Sequence, residues 1–110
     1  MMCMSLGSKK CIPCQGGVPP LVRSEYEPLL EQIDSQWSVL ADHHLERTWK
    51  FDDFISALEF VNKAGDICEQ EAHHADFMLS WGQVKTMIWT HKIDGLTESD
   101  FILAAKFDEI

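Results

Sequence analysis

The chain has 110 residues, 45% of them hydrophobic and 25% charged, the balance of one soluble globular domain and not of a disordered, collagen-like or disulfide-stapled chain. Nine basic against 18 acidic side chains give a formal charge of −9, which repels phosphate backbones and makes direct nucleic-acid binding a poor expectation. No apolar run is long enough to span a bilayer, and the N-terminal stretch lacks the apolar centre of a secretory signal, so the expectation is a cytoplasmic protein with reduced thiols and no membrane partner.

Residues 1–23 read as an irregular arm, broken by Pro13, Gly16-Gly17 and Pro19-Pro20, ahead of one domain over 24–110. From Ser24, a candidate cap, Tyr26, Leu29, Leu30 and Ile33 recur at helical spacing. Trp37 to Leu40 reads as a short strand, Ala41 to His44 as a turn, and Leu45, Arg47, Trp49 and Phe51 as the inward side of a second strand. Asp52 and Asp53 then precede a long helix, where carboxylates suit the positive end of the helix dipole. Its apolar stripe is Phe54, Leu58, Val61, Ala64, Ile67 and Cys68, widened by Ala57 and Phe60, and it fades near Glu71 or Ala72.

A second hairpin follows. Gly82-Gln83 reads as its two-residue turn, glycine first, which sets Trp81 opposite Val84 and Leu79 opposite Thr86. Phe77, Leu79, Trp81, Val84, Thr86, Ile88 and Thr90 share one face; Met78, Met87 and Trp89 make the other unusually apolar, the mark of a self-association surface or of a face covered by the chain's own arm. Thr97-Glu98-Ser99-Asp100 reads as a capping box opening a last helix with Phe101, Ala104, Ala105 and Phe107 inward. The predicted class is α+β: a four-stranded antiparallel sheet with three helices on one face, in the order α-β-β-α-β-β-α.

Candidate chemistry gathers on histidine. His73-His74 lies between the long helix and the second hairpin, and His91 follows that hairpin's return strand, so packing the helix on the sheet brings them toward one edge. A helix extended to His73 puts Glu69 on its face, four residues back, and Asp76 lies close in sequence. Imidazoles beside carboxylates make a general acid–base set near neutral pH. Each residue also has a plainer reading: a doublet at a helix C-terminus suits the dipole, Asp100 caps a helix, Trp81 fills a core, and His43-His44 is an equal doublet in a turn. Cys11 and Cys14 have the spacing of half a zinc site without a second pair, and no metal centre is expected. Glycine-rich nucleotide loops and a nucleophile elbow are absent.

Together, Glu69-x3-His73-His74, Trp81, His91 and Gly95-Leu96-Thr97-Glu98-x-Asp100 resemble the pterin-4a-carbinolamine dehydratase family. Trp37, Arg47-x-Trp49-x-Phe51 and Phe54-x2-Ala57-Leu58-x-Phe60-Val61 extend the resemblance upstream, and Cys11-x-Pro13-Cys14-x-Gly16-Gly17-x-Pro19-Pro20-Leu21 is similar to the arm of one subgroup. Ala72, Ala75 and Ser99 depart from the family pattern at the rim of the site.

The resemblance implies dehydration of 4a-hydroxytetrahydrobiopterin to quinonoid dihydropterin, recycling the cofactor of aromatic amino-acid hydroxylases. It implies acid roles for His73 and His74, and a base or orienting role for His91. Glu69, Asp76, Trp81 and Asp100 would then bind the pterin or tune the imidazoles. The pterin is substrate, and no cofactor is implied. Expected partners are a second or further copies, as homodimer or homotetramer, with a functional link to a hydroxylase. A dimerisation or coactivator-type binding role, or a molybdenum-cofactor-linked role of the cysteine arm, is the competing expectation.

Overall fold

A computed structural model of the chain describes residues 6–11 and 18–110; Cys3, Pro13, Cys14 and Gly16-Gly17 lie outside these. The elements follow the predicted order: α1 (Arg23–Leu30), β1 (Ser38–Leu40), β2 (His44–Lys50), α2 (Phe54–Glu71), β3 (Asp76–Ser80), β4 (Gln83–Ile88) and α3 (Glu98–Phe107). The four strands form one antiparallel sheet in the order β1-β2-β4-β3. Its inner face buries Leu45, Val84, Thr86 and Ile88 completely, under α2 and α3, with α1 on α3.

Alternation fixes which strand residues point inward. The hairpin register, however, sits one pair away from the predicted one. Leu79 pairs with Val84 and Phe77 with Thr86, so the two-residue turn is Trp81-Gly82, with glycine second at φ 68°. A single glycine satisfies either turn position by its freedom at positive φ, and a shift of two residues keeps every side chain on its predicted face. The consequence falls on Trp81. It stands at the hairpin tip, 72% exposed, and is not a core residue. The β1–β2 turn is one residue shorter than predicted, with His44 already in β2, and it is made by Ala41 and Asp42, both left-handed at φ 54° and 53° without glycine.

Asp53 caps α2 by accepting from Ser56 N at 2.9 Å. The stripe that α2 buries is Ala57, Phe60, Ala64 and Cys68. It is turned toward the residues read as widening it, and Phe54 is left largely exposed. Helix α1 begins at Arg23 after Val22, so Ser24 is inside the helix and does not cap it.

Helix α3 is apolar nearly all round, with Phe101, Ile102, Leu103, Ala104 and Phe107 fully buried. Three elements cover it: the inner core, α1 through Tyr26 stacked on Phe101 at 6.3 Å, and the arm. Leu6, at 3% exposure, plugs into the core, and the short 3-10 turn Leu6–Ser8 lies on α3. Lys106 Nζ donates to Gly7 O at 2.9 Å, and Cys11 N donates to Glu71 Oε1 at 2.8 Å. The described arm therefore packs on the helices and does not cover the outer sheet face. Arg47, on the inner side of β2, is matched by Asp108 at 2.7 Å, which also accepts from Trp37 Nε1 at 2.7 Å.

Candidate functional site

The site is built where α2 stops. Ala72 adopts the left-handed conformation (φ 52°, ψ 36°), its amide bonding back to Cys68 and Glu69 carbonyls, and His73 N reaches Cys68 O at 3.2 Å. These bonds close the helix end as glycine usually would. They also throw His73 and His74 off the helix axis. Glu69 consequently does not share a face with His73, as an extended helix would require. Its carboxylate meets His74 Nε2 instead, while His73 turns inward to α3.

There His73 Nε2 lies 2.5 Å from Asp100 Oδ1. Asp100 is the third helical residue of the capping box headed by Thr97, and its exposure is 0%. Its Oδ2 accepts from Thr97 N at 2.8 Å and Thr90 Oγ1 at 2.9 Å. Where Asp100 is a carboxylate it can only accept, and the short contact then puts a proton on His73 Nε2. His73 Nδ1 has no hydrogen bond among the described residues. This is the arrangement by which a buried acid fixes the tautomer and orientation of a working imidazole. His73 is 12% exposed against 57% for His74, so one imidazole is held rigidly and the other stands at the rim.

His91 opens the 3-10 turn His91–Ile93. Thr90 and Gly95 close that loop at its base, with amide-to-carbonyl distances of 2.8 and 3.4 Å. A Cβ on Gly95 would sit 2.5 Å from Pro20 Cβ, so glycine lets the arm cross the loop. His91 packs edge-on against Trp89, centroids 4.4 Å apart, and its imidazole makes no hydrogen bond among the described residues.

A pocket of about 270 Å³ is lined by Ala72, His73, His74, Trp89, Thr90, His91 and Lys92, just below the usual range for small-molecule sites. All three sequence-nominated histidines line it. Asp100 and Glu69 stand behind two of them. Asp76 does not line it: it pairs with Met87 at the start of β3, which places it on the outer sheet face. Nor does Trp81, at the far end of β3, about 16 Å of strand away. The aromatic wall is Trp89, which reads in the sequence only as part of an outer patch; Thr90 and Lys92 are also not nominated there. What hides them is that their part depends on a loop closure between Thr90 and Gly95, which no local pattern announces.

The chemistry available is proton transfer by imidazoles with carboxylate partners. The nearby thiols do not offer a nucleophile: burial pushes Cys68 up, and burial together with Glu71 pushes Cys11 up to about 12. Among the described residues no group of three or more His, Cys, Asp or Glu side chains is placed to hold a metal ion, and no helix is long and apolar enough to cross a membrane.

Comparison with known proteins follows the same lines. The family profile described as "Pterin 4 alpha carbinolamine dehydratase" matches residues 19–110. A relative named for that family in Rickettsia bellii (strain OSU 85-389) is 56% identical over 104 residues, 94% of this chain and 92% of its own. Another, from Alkaliphilus metalliredigens (strain QYMF), is 51% identical over 105 residues, 96% of this chain and 95% of its own. The crystal structure of a transcriptional coactivator/pterin dehydratase from Brucella melitensis superposes with a TM-score of 0.76 at 28% identity, covering 82% of this chain and 96% of that one.

Proposed function

Since the chain belongs to the pterin-4a-carbinolamine dehydratase family, whose reaction removes water from pterin-4a-carbinolamine, we propose that this pocket performs that dehydration by histidine acid–base catalysis. Hydroxide is a poor leaving group, so the 4a-oxygen must take a proton as the C4a–O bond breaks. The N5–H proton must go to a base as the C4a=N5 bond forms. One imidazolium and one neutral imidazole meet both needs, each step by general catalysis contributing roughly 10²–10⁴-fold. The two then exchange protons, through water, to reset.

His73 and His74 supply acid function at the 4a-oxygen, and His91 acts as base or orients the ring. The observation that carries this reading is the His73–Asp100 contact at the wall of a pocket shared with His74 and His91. Asp100 and Glu69 hold imidazoles and do not reach into the pocket. The reaction so written uses no metal or organic cofactor, and its proposed setting is tetrahydrobiopterin recycling beside an aromatic amino-acid hydroxylase.

Self-association as a homodimer or homotetramer belongs to the same proposal, supported by the exposed Met78 and Trp81; light scattering checks it. The decisive assay follows synthetic 4a-hydroxytetrahydropterin by ultraviolet absorbance with and without protein. Strong acceleration is the expected result. Full turnover in both His73→Ala and His74→Ala would remove the histidine assignment.

A further inference from the structure

The turn joining β1 to β2 reaches the pocket wall from behind. Because β2 lies beside β4 with Leu45 opposite Ile88, the next residues outward, His44 and Trp89, are also neighbours. The rings of His43 and His44 lie 5.2 and 5.9 Å from that of Trp89, and Trp89 in turn bears on His91. His43 Nε2 is 2.7 Å from Asp94 Oδ1. Asp94 closes the turn that carries His91: it is left-handed at φ 51°, and its amide donates to His91 O at 3.2 Å. The Nδ1 atoms of His43 and His44 are 3.0 Å apart, so one donates and the other accepts.

The loop holding His91 is thus fixed at its base by Thr90 and Gly95 and, one residue further in at Asp94, by His43. We propose that His43, through Asp94 and Trp89, is a positioning residue that sets the orientation of His91 in the pocket. Asp94 is 86% exposed at its side chain, so the pair's electrostatic attraction is small; the hydrogen bond and the ring contacts supply the constraint. The inference rests on the reading of His91 as a group that serves the dehydration. Displacements of this kind, behind a catalytic group, cost up to about a hundredfold in rate.

The test uses the full chain and the ultraviolet assay. His43→Ala and Asp94→Ala should each lower kcat roughly tenfold or more with little change in KM. The double variant should be no worse than His43→Ala alone, which already removes both the Asp94 bond and the Trp89 contact. His43→Gln, whose amide nitrogen can reach Asp94 as Nε2 does, should restore most of the rate. The His91 Cε1–H resonance should move in His43→Ala and return in His43→Gln. Alanine is tolerable at position 94, since Ala41 and Ala72 already sit left-handed in this chain, so Asp94→Ala carries the test if His43→Ala fails to fold. Wild-type kcat in a folded His43→Ala or Asp94→Ala, beside a crippled His91→Ala, would overturn the inference, as would an unmoved His91 resonance. Wild-type turnover in His91→Ala would instead overturn the underlying reading of His91, and the positioning role with it.

Discussion

Asp100 holds His73 with one carboxylate oxygen, at 2.5 Å, and the start of α3 with the other. One buried side chain therefore joins the end of α2, the start of α3 and, through Thr90, the end of β4. Replacing it with asparagine keeps the shape and removes the charge. If the amide oxygen stays on Thr97 and Thr90, the amide nitrogen faces His73 and forces the imidazole proton to Nδ1. The expected result for Asp100→Asn is a loss in kcat of roughly 10²–10⁴-fold, the span attributed to a positioned acid–base group. The protein should remain folded by circular dichroism. A variant with wild-type kcat would show that the His73 tautomer is irrelevant.

The second carboxylate–histidine pair sits differently. Glu69 and His74 side chains are largely exposed, at 79% and 57%. Exposed ion pairs contribute about 0–1 kcal/mol, so Glu69→Gln and His74→Ala should each lower the melting temperature by no more than about 4–8 °C. His74→Ala should nevertheless reduce kcat by about tenfold or more. Thermal melts and kcat measured on the same preparations separate the two effects; a large loss of stability would mean that the pair is structural.

Much of this arrangement is legible in the sequence, and the limits are physical. The capping box Thr97–Asp100 is a local pattern four residues long, so it can be read directly. Its contact with His73 cannot, because it depends on Ala72 adopting a left-handed turn that alanine does not advertise. The hairpin faces are fixed by alternation, but their register is set by which turn position Gly82 occupies, and both positions accept glycine. His43-His44 looks like an ordinary turn doublet until the strand order β1-β2-β4-β3 sets it against Trp89. Non-local pairing of this kind leaves no trace in short-range periodicity.

Cys11 provides a test of the arm. Its thiol donates to Ser99 O at 3.5 Å, one residue from Asp100. Burial, reinforced by Glu71, pushes its pKa from 9.0 to about 12. The folded state therefore keeps the thiol proton where the unfolded state releases it. Stability from this source is complete below about pH 9 and declines as the pH rises toward 12. Denaturation midpoints should fall across that window, and less steeply in Cys11→Ser. The thiol should also alkylate slowly at pH 8 in the folded protein and rapidly in denaturant. Fast alkylation of Cys11 in the folded protein would contradict its packing on α3.

The hairpin tip provides the opposite kind of test, a stability change without a functional one. Gly82 is left-handed at φ 68°, and a Cβ there would lie 2.9 Å from the carbonyl oxygen of Phe51. The same segment is already fixed, since Phe51 N donates to Gly82 O at 2.9 Å. Neither backbone can withdraw without breaking that bond. The conformational penalty alone is about 1–2 kcal/mol for an L side chain, and the close contact adds to it. Gly82→Ala should lower the melting temperature by about 4–8 °C for each kcal/mol lost. The pocket begins at the other end of β4, some 20 Å of strand away, so kcat below the melting transition should be unchanged. A selective loss of kcat would show that the hairpin tip takes part in the site, in which case the exposed Trp81 beside it would be the residue to mutate next.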